Sequence, residues 1–225
     1  MDVLGNVAEV REQIRQACEK VDRNPEDITI IGVTKYVTID RAEALLNAGI
    51  NNLAENRLEG FREKHEKLGY DVKWHFIGSL QSRKVKDMIN DIDFLHSLDR
   101  KSLAKEINKR ATKVIPCFVQ VNASGEQSKH GLAVEDAVDF IKSLANFENI
   151  RVVGIMTMAP LVDEEQTIRN TFRKVKQLRD EVAAKQWAHA PCDFLSMGMS
   201  NDFTIAIEEG ATHVRIGSSL VGSNQ

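Results

Sequence analysis

The stretch Ile28-Thr29-Ile30-Ile31-Gly32-Val33-Thr34-Lys35 is apolar, rich in β-branched residues, and ends on a lysine. Such a run reads as a strand buried on both faces, the kind found in parallel sheets. The carboxyl end of such a strand is where open α/β sheets and α/β barrels build their sites. Partly desolvated there, the Lys35 amine can lose its proton near neutral pH and attack a carbonyl. Taken alone, a lysine after a strand is more readily a solvated loop residue. The remaining sequence has to decide.

Outward from this run, strand-like and helix-like segments alternate. The strand candidates are Ile28 to Val33, Asn52 to Ala54, Trp74 to Ile77, Phe94 to His96, Val114 to Val121, Val152 to Met156, Phe194 to Ser196 and His213 to Ile216. Before them, Leu4, Val7, Val10 and Ile14 recur at helical spacing and predict an N-terminal amphipathic helix. Helical patterns fill the gaps at Asp40 to Asn47, Arg57 to Leu68, Ser79 to Met88, Asp99 to Arg110, Val134 to Leu144, Glu164 to Ala184 and Ser200 to Glu208. Asp99 and Ser200 are placed as N-caps. This alternation predicts a (β/α)8 TIM barrel with an extra N-terminal helix, spanning residues 1–225 as one domain. An open doubly wound sheet is the competing arrangement. With only four prolines and no Ser/Gly tract, nothing reads as a linker.

Composition excludes several classes. A net charge of −3 gives no reason to expect nucleic acid or an anionic membrane as partner. No apolar stretch approaches the roughly 18 residues needed to span a bilayer, and the N-terminus lacks a signal peptide's regions. Cys18, Cys117 and Cys192 are scattered and form no CxxC, which fits a reducing, cytoplasmic setting without disulfides. Cys117, inside an apolar run, reads as a core residue. The six histidines show no metal-ligand spacing, so no metal site is expected.

Chemistry concentrates after the last two strands. Ser196-Met197-Gly198-Met199-Ser200 leads into a helix whose start can hold an anion. Val214-Arg215-Ile216-Gly217-Ser218-Ser219 offers a glycine for close backbone approach and two hydroxyls. These two loops frequently build a phosphate site in barrels. Arg215 alternates with apolar neighbours and, inside a barrel, needs a partner or a ligand ring. Glu55-Asn56-Arg57 reads as a polar cluster at a helix start, His75 as a satisfied core residue, and Arg62-Glu63-Lys64 as a solvated helix face. An amine near a phosphate cradle suggests pyridoxal 5′-phosphate (PLP) or a sugar phosphate. The residues alone leave both open.

Several segments together resemble the pyridoxal phosphate homeostasis protein family, single-domain relatives of the alanine racemase N-terminal barrel. They are Val33-Thr34-Lys35, Ala54-Glu55-Asn56-Arg57, Trp74-His75-Phe76-Ile77-Gly78-Ser79-Leu80-Gln81, His96-Ser97-Leu98-Asp99, Val121-Asn122 with Ser128-Lys129-His130-Gly131, Gly154-Ile155-Met156-Thr157, and Ser196-Met197-Gly198-Met199-Ser200 through Val214-Arg215-Ile216-Gly217. The resemblance implies a PLP fold-type III barrel with the cofactor as a Schiff base on Lys35. It implies Arg215 facing the pyridine nitrogen and keeping it unprotonated, Ser200, Gly217 and Ser218 on the phosphate, and Asn56 near the 3-hydroxyl. Lys84 and Lys129 would be basic groups near the mouth and secondary acceptors of the aldehyde. Arg83 and Tyr36 depart from residues common in the family, Asn and Thr or Ser respectively.

The function implied is a non-enzymatic PLP carrier in vitamin B6 and amino-acid homeostasis, with PLP-dependent apoenzymes as acceptors. Two enzyme readings compete. An amino-acid racemase needs acid/base groups on both faces of its substrate, and Tyr36 and Tyr70 are the only tyrosines. Strand alternation would send Tyr36 away from the cofactor, and Tyr70 sits in a loop. A Schiff-base aldolase leaves Arg215 unexplained. A monomer is expected, because the sequence carries no second, dimer-forming domain.

Overall fold

A computed structural model describes residues 2–69, 71–126 and 130–222. Lys129 and Tyr70 lie outside the described residues. The chain opens with α1 (Val3–Glu19), started by Asp2, whose carboxylate accepts from the Gly5 N–H at 2.9 Å. Val3, Val7, Val10, Ile14, Ala17 and Cys18 form its buried face. That face packs against the last two helices, α7 (Phe203–Glu208) and α8 (Ser218–Val221).

The strands are β1 (Thr29–Val33), β2 (Asn52–Glu55), β3 (Lys73–Phe76), β4 (Phe94–Leu98), β5 (Ile115–Asn122), β6 (Leu132–Ala133), β7 (Ile150–Met156), β8 (Phe194–Ser196) and β9 (His213–Ile216). All pair in parallel, in the order β4-β3-β2-β1-β9-β8-β7-β5, and a β4–β5 pairing closes the ring. The eight barrel strands are those expected from the sequence, and the open sheet is excluded by that closure. The two-residue β6 is an addition, pairing only with the end of β5. It is too short to show a period.

Between the strands lie α2 (Ile39–Asn47), α3 (Leu58–Leu68), α4 (Lys101–Arg110), α5 (Val134–Lys142) and α6 (Glu165–Ala184). Three local expectations are corrected. The segment after β3 forms a 3-10 helix, Ser82–Asp87, instead of an α-helix from Ser79. Gly78 is pressed against the Asn56 backbone there, where a Cβ would come within 2.0 Å of Asn56 O, and Gln81 is extended. Asp99 does not cap α4. Its carboxylate takes the Arg100 guanidinium at 2.9 Å, and Arg100 occupies the cap position. Ser200 does not cap α7 either. That place belongs to Asp202, whose carboxylate accepts from the Met199 N–H at 2.6 Å.

The main core lies between the barrel wall and its helices. The barrel interior holds smaller clusters, Ile31, Val33 and Ala54 on one side and Phe118, Val153 and Met156 on the other. The three cysteines are buried and unpaired, and burial pushes the Cys192 thiol up to about 12. Among the described residues, no helix is long and apolar enough to cross a membrane. No group of His, Cys, Asp or Glu among them could hold a metal ion.

Candidate functional site

Parallel pairing around a closed barrel makes the first strand a neighbour of the last. β1 pairs with β2 on one side and with β9 on the other, Ile31 lying opposite Arg215 and Gly32 opposite Ile216. β9 in turn pairs with β8. The strand ends that carry Asn56, Lys35, Arg215 with Gly217-Ser218, and Ser200 are therefore four consecutive positions on one rim. Lys35 stands beside the phosphate-type loops, not across the barrel from them.

Lys35 follows β1 on a turn closed by the Val37 N–H donating to Thr34 O at 3.2 Å. It is exposed, so the partial desolvation suggested by the sequence is absent. The lysine projects past the strand end, and the buried position before it belongs to Thr34. The Thr34 hydroxyl donates to Glu55 Oε1 at 2.7 Å, and Lys64 Nζ donates to the same oxygen at 2.7 Å. Glu55 and Lys64 are both buried. Lys64 is thus an interior anchor on α3, not the solvated residue that its charge-rich surroundings suggest. Tyr36 sits in the turn with φ of 64°, exposed, with the Arg57 guanidinium 5.2 Å from its ring centre. Strand alternation does not govern its direction.

Asn56 is half-buried at the end of β2. It lines a cleft of about 350 Å³ with Arg57, Ser79, Gln81 and Lys84. Lys84 is ion-paired with Glu59 at 3.2 Å there.

Ser200 and Ser219 join the loops after β8 and β9, the Ser219 N–H donating to Ser200 Oγ at 3.3 Å. The Arg215 N–H donates to Gly198 O at 2.9 Å and ties the same loops lower down. Gly198 has φ of 93°, and a Cβ there would lie 2.6 Å from the Ala206 Cβ, so the tight turn requires glycine. Gly217 differs. A Cβ there would meet Val33 only at ordinary contact, 3.5 Å, so internal packing does not demand glycine. Close approach of a ligand oxygen to the backbone is a reason that packing does not supply.

Arg215 is buried, and its guanidinium binds neutral oxygens: Ser196 Oγ at 2.7 Å and Thr157 O at 3.0 Å. Burial lowers its pKa to about 10, partly offset by the charge of Asp202, so it remains a cation at neutral pH. Behind Ser196 lie His96 and His75, both fully buried and hydrogen-bonded to each other at 2.8 Å. His75 is a satisfied core residue, as its place in an apolar run suggests. Its bond to His96, and that of His96 to Ser196, was not legible, because inward side chains of separate strands meet only once the barrel closes. The donor set is an amine, a dry guanidinium, serine hydroxyls and a glycine backbone. It fits an anionic phosphate joined to an aromatic aldehyde whose ring carries a hydrogen-bond acceptor.

Residues 6–225 match the family model described as alanine racemase, N-terminal domain. The pyridoxal phosphate homeostasis protein of Aquifex aeolicus is 39% identical over the full length of both chains. Among solved structures, an unknown protein from Bifidobacterium adolescentis superposes with a TM-score of 0.93 at 29% identity, covering 97% of this chain and 94% of that one. PipY of Synechococcus elongatus, solved with PLP bound, gives 0.86 at 26% identity, covering 98% of this chain and all of that one. The chain belongs to the alanine racemase N-terminal domain family and, within it, to the pyridoxal phosphate homeostasis proteins.

Proposed function

We propose that this protein binds PLP and acts in its homeostasis as a carrier without catalytic turnover, working as a monomer and handing the cofactor to apoenzymes. The observation that carries this reading is the single rim on which Asn56, Lys35, Arg215, Gly217, Ser218 and Ser200 stand on consecutive strands β2, β1, β9 and β8. PipY, which was solved with PLP, is similar along its whole length. PLP supplies an aldehyde that condenses reversibly with an amine, releasing water. Lys35 would provide that amine, and its exposed position on a turn suits exchange with an acceptor. Arg215 would donate to the ring nitrogen. As a cation it disfavours a proton there, which weakens electron withdrawal by the ring and suits storage over catalysis. Ser200, Gly217 and Ser218 would hold the phosphate, and Asn56 the 3-hydroxyl side.

A racemase is the second reading, favoured only by the position of Tyr36 beside Lys35 at the mouth. The test begins with PLP added to the purified protein. A visible band that borohydride abolishes, with the reduced adduct mapped to Lys35, is the expected result. No uptake overturns both readings. Sustained racemisation of L-alanine, well above free PLP, overturns the carrier in favour of the enzyme. Gel filtration of the loaded protein checks the monomer.

A further inference from the structure

The hydrogen bonds behind Arg215 continue across the barrel. Arg215 Nη1 meets Ser196 Oγ at 2.7 Å, Ser196 Oγ meets His96 Nδ1 at 2.8 Å, His96 Nε2 meets His75 Nδ1 at 2.8 Å, and His75 Nε2 meets Asn52 Oδ1 at 3.0 Å. The residues come from β9, β8, β4, β3 and β2. Asn52, at the start of β2, also lines a cavity of about 670 Å³ at the amino-terminal face of the barrel, with Arg11, Thr29 and Asn51. The chain therefore runs from the foot of the barrel to the level of the site.

Its direction follows from the chemistry of its two ends. Arginine only donates, and an amide oxygen only accepts. With Asn52 Oδ1 accepting, neutral His75 carries its proton on Nε2 and accepts at Nδ1. His96 then donates from Nε2 and accepts at Nδ1, and the Ser196 hydroxyl donates to it. Every proton points away from Arg215. Both imidazoles are held well below their usual pKa, first by burial. His213 and Lys73 add to this at His75, and His75, Arg215 and His213 at His96. Phe94 stacks on His75 and Phe118 on His96, at 4.7 and 4.3 Å between ring centres, which fixes the ring planes.

A buried cation is ordinarily compensated by a carboxylate. At Arg215 the contacts are neutral, and Asp202 acts on it only through space. We propose that Ser196, His96, His75 and Asn52 are positioning residues, an uncharged one-way chain that holds the Arg215 guanidinium in place while leaving its charge unneutralised toward a bound cofactor ring. Aligned dipoles solvate the cation without cancelling its field. A carboxylate in place of Ser196 would cancel it. This inference rests on the reading of the rim as a PLP site.

The experiment compares the parent with Ser196→Ala and Ser196→Thr, each loaded with PLP, and follows the visible spectrum against pH. Ser196→Ala lets the guanidinium move off, so the spectral transition shifts to higher pH by about one unit or more. Ser196→Thr keeps the hydroxyl and restores the parent midpoint. An unchanged midpoint in Ser196→Ala overturns the proposal. Should that variant not fold, Asn52→Ala cuts the far end and is expected to shift the midpoint the same way, with no shift again overturning it. Nitrogen-15 spectra of the PLP-free parent give an independent readout. Both His75 and His96 are expected as neutral Nε2–H tautomers between about pH 6 and 8. A proton on Nδ1 of either ring, or titration in that window, sinks the chain even where PLP binds. Failure of PLP uptake with the expected tautomers strikes only the cofactor reading.

Discussion

Glu55 and Lys64 form an ion pair at 2.7 Å whose side chains are only 2% and 5% exposed. The carboxylate sits at the end of β2 and the amine on α3, and Thr34 binds the same oxygen from the end of β1. The residue after Thr34 is Lys35. A shielded pair therefore anchors the strand end from which the proposed cofactor lysine projects.

Removing one member of this pair strands a buried charge. Lys64→Met should destabilise the protein by about 3–5 kcal/mol. The double replacement Glu55→Gln with Lys64→Met leaves no charge behind and should recover most of that loss. Urea denaturation of the three proteins measures both differences. Equal stability of Lys64→Met and the parent would show the pair to be inert.

Ser200→Ala separates phosphate binding from ring binding. The hydroxyl is placed between the loops after β8 and β9, where it takes the Ser219 N–H. One hydrogen bond to a charged group is worth about 1.5–3 kcal/mol, so PLP affinity should fall roughly tenfold or more. Pyridoxal, which lacks the phosphate, should bind parent and variant alike. Equal losses for the two ligands would remove Ser200 from the proposed phosphate site.

Gly198→Ala tests the turn that carries this loop. The substitution asks alanine to adopt φ of 93° and brings its Cβ within 2.9 Å of the Phe203 Cα. Strain and overpacking together should cost about 1–3 kcal/mol. A lowered Tm with weaker PLP retention is expected, since Gly198 O also receives the Arg215 N–H.

Buried neutral histidines should make the protein acid-sensitive. Burial lowers the pKa of His213 from 6.5 to about 4, with Arg215 adding to the effect. The folded state then binds fewer protons than the unfolded one across that interval, so stability rises with pH there. The contribution is fully present above about pH 6.5 and is lost progressively down to about pH 4, on the order of 3 kcal/mol. His75 and His96, both held well below their usual value first by burial, act in the same direction. Denaturation between pH 7.5 and 4.5 should give a smaller slope for His213→Asn than for the parent. Identical slopes would remove His213 from the account.

How far the sequence could be read depends on the range of each signal. The strand from Thr29 to Val33 and the face Val3, Val7, Val10 and Ile14 of α1 are local patterns, and both appear as read. Ser200 and Asp99 show the limit of local rules. Each has the chemistry of a cap, yet Asp202 and Arg100 hold those positions, because Ser200 faces Ser219 and Asp99 faces a guanidinium. Lys64 carries no mark of burial in a charge-rich helix. Only the buried Glu55 carboxylate at the end of β2 takes it inside.

By itself the sequence determined the alternation of strands and helices, hence the barrel, and the residue types at the strand ends, hence the expectation of a phosphate-and-carbonyl chemistry. Hydrophobic period and strand-end position are properties of short segments, so they survive without the fold. Tertiary structure alone decided the neighbours. Closure set β1 against β9 and put Lys35 next to the loops after β8 and β9. It also brought Ser196 to His96 across one hundred residues of chain. Inward-facing side chains meet according to the stagger of a closed sheet, and no periodicity in one strand encodes which side chain of another it will face.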